Sequence, residues 1–196
     1  MTTAMVTTSP MVRQYSLEEF WTLPAPAEGG HYELIAGVLY MVPPPSRPHS
    51  DAIARLNLRL AAFLGNHPDL GTLYVPRAAI WVEERTYLEP DLMYVSADRQ
   101  PRGQADHLRS ADLVIEALSA TTALYDRQTK ADTYAALGVR ELWLMDLSRH
   151  EIEQRVLEAG AWRVQATAKV GQTLRAHVLP GFEVSVREIF EGLPRD

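Results

Sequence analysis

Apolar positions along the chain change their period several times, and each change predicts an element. Ser16-Leu17-Glu18-Glu19-Phe20-Trp21 sets a hydroxyl three residues before a glutamate at the head of an apolar run, the signature of a capped helix start. Pro24-Ala25-Pro26 through Gly29-Gly30 ends that helix. Residues 31–35 and 38–42 flank Ala36-Gly37, a two-residue hairpin signal, and Pro43-Pro44-Pro45 closes the hairpin. Ile53, Leu56, Leu60, Phe63 and Leu64 then fall at helical spacing, so a long amphipathic helix is expected, with Ser50 as its cap and Gly65 near its end. The pattern turns to strand over 73–82, and another strand starts near Tyr87 and runs through Pro90-Asp91 to Val95. Residues 96–110 read as a polar loop.

The stretch from Ala111 to Asp146 is the most regular. A β-branched apolar strand at 112–118 leads to a helix from about 122 to 137, stopped by Gly138, and then to a strand at 141–146. Strand, helix and strand with short links predict a right-handed parallel crossover. Strands at 151–157 and 162–166 alternate with glycine turns, and a strand and helix near 182–191 close the chain. Residues 1–14 are small, polar and unpatterned and are expected to fray, leaving a single domain over 15–192. There is no internal repeat and no linker.

Composition narrows the classes. A chain of 196 residues with 46% hydrophobic and 22% charged content can bury a substantial core. The absence of cysteine excludes disulfides and thiolate metal sites. No apolar run approaches the roughly 20 residues of a membrane span, and no basic segment precedes an apolar core at the start, so a cytoplasmic location is expected. A net charge of −6 argues against a sequence-independent nucleic-acid coat protein. It does not argue against a nuclease, whose clustered acids a metal neutralises.

Candidate chemistry centres on Glu116, which sits mid-strand between Ile115 and Ala117. A carboxylate in an apolar strand costs several kcal/mol, in rough terms, unless a cation or metal compensates it. Asp91 follows Pro90 in what reads as a neighbouring strand, and adjacent strands are about 4.8 Å apart, so two carboxylates facing the same way could share a cation. Magnesium takes oxygen ligands, usually one or two carboxylates with water and substrate phosphate. Lys130, one of two lysines, could orient an attacking water or stabilise developing charge from the following helix. Blander readings exist for each residue. Lys130 could pair with Asp126 one helical turn earlier, Asp91 could be a turn acid, and Glu33 an exposed hairpin residue. Asp112 reads as the strand start. His49, at a helix entry, could hold substrate or be structural, while Phe63, Trp81 and Trp143 read as core.

Five blocks in order carry a resemblance: Pro90-Asp91, 112–119 (Asp-Leu-Val-Ile-Glu-Ala-Leu-Ser), 126–130 (Asp-Arg-Gln-Thr-Lys), 134–139 (Tyr-Ala-Ala-Leu-Gly-Val) and 141–146 (Glu-Leu-Trp-Leu-Met-Asp). With Tyr32-Glu33-Leu34-Ile35-Ala36-Gly37 and the prolines before His49, the chain resembles the Uma-type family of restriction endonucleases, within the PD-(D/E)XK superfamily, over roughly residues 15 to 190. The resemblance implies an α/β, restriction-endonuclease-like core: a mixed central sheet with hairpins, flanked by helices. It implies metal-dependent cleavage of nucleic acid, DNA first, with Asp91 and Glu116 holding Mg2+ or Mn2+, Lys130 as catalytic lysine and Glu33 as a further acid. His49 is the candidate for substrate binding, and a homodimer is expected because symmetric dimers are common and two strands suit two sites.

The chain also departs from the pattern. The superfamily lysine stands two residues after the second acid, where this chain has Leu118, so Lys130 would be a migrated equivalent. Ala36 replaces a frequent aspartate, and Ser119-Ala120-Thr121 replaces Ser-Pro-Ser/Thr. Two other readings stand beside the endonuclease: a degenerate nuclease fold that binds nucleic acid or a partner, and a metal hydrolase of small phosphoesters.

Overall fold

The computed structural model describes residues 12–27, 29–82, 85–101 and 107–194, so most of the segment expected to fray lies outside the described residues. The first helix, α1 (Leu17–Trp21), is capped as its sequence requires, with Ser16 Oγ accepting from the Glu19 amide and the Glu19 carboxylate from the Ser16 amide. β1 (His31–Ile35) and β2 (Val38–Val42) form the expected hairpin. Both central residues are left-handed, Ala36 at φ +48° and Gly37 at φ +84°, as a tight hairpin turn demands.

α2 (Arg47–Gly65) buries Ala52, Ile53, Leu56, Leu60 and Leu64, but its cap is Ser46 rather than Ser50. Ser46 Oγ accepts from the His49 amide, while Ser50 lies inside the first turn and donates its hydroxyl to the Ser46 carbonyl. Proline explains the difference: Pro48 lacks an N–H only where the first helical turn has no use for one, so the helix begins around it.

The two long strands expected at 73–82 and 87–95 are each broken in two. β3 (Gly71–Tyr74) and β4 (Ile80–Val82) are separate, as are β5 (Thr86–Leu88) and β6 (Leu92–Ser96). The pieces belong to different sheets. β2-β1-β5-β4 form a four-stranded sheet, whereas β3 and β6 join β7 (Leu113–Leu118), β8 (Glu141–Asp146), β9 (Glu151–Glu158) and β10 (Ala161–Lys169) in a six-stranded sheet of order β10-β9-β8-β7-β6-β3. The chain leaves the large sheet through Val75-Pro76-Arg77 and returns through Glu89-Pro90-Asp91. Proline is compatible with extended backbone but donates nothing to a ladder, so the alternation reads straight through a point where the pairing changes.

Within the large sheet β7 and β8 pair in parallel and the other neighbours antiparallel, so the sheet is mixed. One face carries Leu113, Ile115, Ala117, Trp143 and Met145 against α2 and the C-terminal α4 (Val186–Phe190). The opposite face carries Val114, Leu118, Leu142 and Leu144. It is covered by the helical stretch ending in α3 (Ala131–Ala136) and by Ile35, Ile80 and Leu88 of the small sheet. Glu116 points, by the strand's period of two, toward this second face. Asp112 marks the strand start as expected: fully buried, it accepts from the Ser96 amide and pairs with Arg99 and Arg140. Trp143 is core, and Phe63 and Trp81 pack partly buried at its margins.

Candidate active site

Four segments deliver the site. β1 brings Glu33, β7 brings Glu116, the passage into β6 brings Asp91, and the helix between β7 and β8 brings Lys130. That helix opens with a π-helical turn over Tyr125–Lys130 before it becomes α3. Lys130 Nζ lies 2.8 Å from Glu116 Oε1 and 3.2 Å from Glu33 Oε1, so it joins a carboxylate from each sheet. The pairing with Asp126 suggested by helical spacing is replaced by these two ion pairs.

Each carboxylate has further donors. The Tyr134 hydroxyl donates to Glu116 Oε1 at 2.5 Å, and the Tyr125 hydroxyl donates to Glu33 Oε2 at 2.9 Å. The Glu89 amide donates to Glu33 Oε1 at 2.9 Å. Asp91 lies outside the strand in which the alternation placed it, yet it is tied to Glu116 through the backbone: Asp91 Oδ2 accepts from the Ala117 amide at 2.8 Å. The same oxygen is 3.0 Å from His49 Nε2, so the helix-entry histidine joins the site.

Burial drives the electrostatics. It pushes the Glu116 carboxyl well above the usual range, and the charges of Asp91, Asp126 and Glu33 add to that push against the opposing ammonium of Lys130. Burial also raises Asp126, to about 6, although Lys130 and the Thr122 hydroxyl favour its anion. For Glu33 the balance reverses: Lys130, His31 and the Glu89 amide overcome burial and hold it at about 2. Burial works against the charged form of Lys130 too, but Glu116 and Glu33 raise it well above an ordinary lysine. His49 follows the same logic, with Asp91 outweighing burial and raising it. Four carboxyl groups, Glu33, Asp91, Glu116 and Asp126, thus share one ammonium, with the imidazoles of His31 beside Glu33 and His49 beside Asp91.

A cleft of about 320 Å³ opens over Asp91 and His49 and is also lined by Arg77, Ser119, Thr121 and Thr122. Glu116 and Lys130 lie beneath its wall, each with only 4% of its side chain exposed, against 21% for Asp91. Among the described residues no set of three or more acids and histidines forms a ready-made metal cage. The donor set nonetheless suits a hard cation. Asp91 Oδ1 and Glu116 Oε2 take none of the contacts described above, the excess charge is negative, and magnesium needs only one or two protein carboxylates with water and phosphate.

Two members of the site escaped the sequence reading. Tyr134 lies four residues after Lys130, a spacing that shares a helix face, so it was within reach. Tyr125 lies five residues before Lys130, which a regular α-helix would turn about 140° away, and only the π-turn brings both onto Glu33.

Compared with known proteins, the chain matches over residues 17–187 the model of the Uma2 family, whose description is "Putative restriction endonuclease". Five chains of solved structures match as well. One, the crystal structure of a "putative nuclease" from Anabaena variabilis, aligns with a TM-score of 0.71 at 16% identity, over 90% of this chain and 97% of that one, a likeness of fold. Nothing among the curated proteins matches. The family expected from the sequence blocks and the mixed α/β nuclease fold are both borne out.

Proposed function

Because the chain belongs to the Uma2 family of restriction-endonuclease-like proteins, we propose that it is a metal-dependent endonuclease hydrolysing phosphodiester bonds in nucleic acid, with DNA as its substrate. The observation that carries the reading is the reach of Lys130, from the helix that follows β7, to within 2.8 Å of Glu116. A migrated lysine thereby stands beside the acid it serves.

In this reading Asp91 and Glu116 hold Mg2+ or Mn2+ through Asp91 Oδ1 and Glu116 Oε2. The ion, when bound, would polarise the scissile phosphate and lower the pKa of a coordinated water. Lys130 keeps its proton, so it acts as a fixed positive charge that orients the attacking water and stabilises the developing oxyanion rather than as a base. Glu33, ionised and clamped by Tyr125 and the Glu89 amide, anchors that ammonium from the other sheet. His49, on the cleft wall with its Nε2 against Asp91, is placed to hold substrate. A homodimer and a cytoplasmic location complete the proposal, and sedimentation velocity checks the first.

The test is nicking of supercoiled plasmid in Mg2+, expected for the wild type and lost in Glu116→Gln. One observation favours a second reading, a non-cleaving nucleic-acid module: Glu116 and Lys130 lie beneath the cleft wall rather than on it. DNA binding without nicking, in Mg2+ or Mn2+, would establish that module. Turnover of a small phosphodiester without nicking would point instead to a small-substrate hydrolase.

A further inference from the structure

Beside the cleft over Asp91 lies a second groove of about 590 Å³, and the two share Val42, Pro43, Thr121 and Thr122. Their chemistry differs. The first carries Asp91, Glu89, Arg77 and two histidines. The second, among the described residues, has no acid, lysine, arginine or histidine in its lining: its walls are Tyr40, Met41, Leu124 and Tyr125, with Gln128 and Thr129 as polar members. The Tyr40 and Tyr125 rings lie 4.7 Å apart and tilted by 31°, and the Tyr125 hydroxyl is already committed to Glu33. Met41 and Leu124 are 51% and 69% exposed. Folding gains little from large apolar side chains left in water, and two of them in one concavity mark a place where something apolar docks.

We propose that this groove is the subsite for the nucleobase of an unpaired nucleotide whose phosphate occupies the adjoining cleft. The placement of the phosphate rests on the nuclease reading above; the base subsite stands on the groove itself. A nucleotide is divided as the two clefts are, into an anionic phosphate and a neutral, flat aromatic base. Apolar and aromatic walls accept the face of any base, and the Gln128 amide and Thr129 hydroxyl offer both donors and acceptors to its edge. The volume lies within the range of roughly 300–1,000 Å³ typical of small-ligand sites. A base inside a duplex is stacked on both faces and paired, so it cannot enter; the occupant comes from a single strand, a loop or a flipped-out position.

The test uses the full chain with Ca2+ in place of Mg2+ at one fixed salt concentration, with single-stranded DNA decamers carrying 2-aminopurine at successive positions. Quenching is expected at one position, and an abasic residue there should weaken binding about ten-fold, the scale of lost base stacking. Met41→Ser with Leu124→Ser should remove the quench while leaving the melting temperature unchanged, since both side chains are exposed. Binding without position-dependent quenching, no binding of the decamers, or loss of a wild-type dimer in the double variant would each overturn the subsite. Quenching without plasmid nicking in Mg2+ would leave the subsite standing and defeat the nuclease reading. Nicking without quenching would do the reverse.

Discussion

Glu33 and Glu116 share one ammonium and titrate in opposite directions, because Glu33 receives the Glu89 amide besides Lys130 and Tyr125 and has the His31 imidazole 3.9 Å away, while Glu116 is buried among other acids. Glu33 falls from an ordinary 4.5 to about 2. Its anion therefore stabilises the fold above the unfolded value, and that contribution is lost as pH falls through the folded one. Acid unfolding of the metal-free protein should steepen between those values, and Glu33→Gln should flatten that limb of a urea-midpoint profile. Asp126 moves the other way, from 3.8 to about 6. Its contribution is most favourable below the unfolded value and is lost as pH rises through about 6, so Asp126→Asn should be the more stable protein at pH 8, by up to about 3 kcal/mol, and equal at pH 3. Thermal melts at both values check the sign. Tyr134 positions Glu116 without facing the cleft, and Tyr134→Phe should lower nicking by roughly 10- to 100-fold, the range found for partners that orient metal-binding groups.

The elements show where local rules suffice. The α1 capping box and the β1–β2 turn use groups within a few residues of one another, so their signals survive in the sequence. At α2 two serines competed for the cap, and Pro48 decided between them. Ser46→Ala should accordingly cost about 1 kcal/mol in chemical denaturation, against less than about 0.5 kcal/mol for Ser50→Ala. The helix after β7 kept its length and its stop at Gly138, which adopts φ +72°. Its opening turn did not keep the helical period, and Tyr125 became invisible to any argument from spacing.

At the scale of the whole molecule, Lys130 fastens the small sheet to the large one through Glu33 and Glu116. Removing it strands two buried carboxylates, and breaking a buried ion pair from one side costs on the order of 3–5 kcal/mol. Lys130→Met should therefore lose stability at pH 8 and regain it on acidification, as the orphaned acids take up protons. Adding Glu33→Gln and Glu116→Gln should restore most of the loss at pH 8. Urea midpoints at pH 5 and 8 test both statements. The same architecture puts Asp91 in a passage between sheets, where its carboxylate is free to cap the Ala117 amide instead of sitting in a ladder.

From the sequence alone came the α/β class and the parallel β7–β8 unit, because capping, turn chemistry and hydrophobic period act over a few residues, and the candidates Asp91, Glu116, Lys130 and His49 from residue type and place in that pattern; the family, and with it Glu33 as a further acid, came from the resemblance of several blocks in order. Only the tertiary structure decided which half of each broken strand joined which sheet, that Lys130 bridges Glu33 and Glu116, and that His49 rests on Asp91. Those contacts join residues 14, 42 and 97 positions apart. They are set by strand pairing and by where a buried charge finds its partners, neither of which leaves a mark on the residues nearby in the chain.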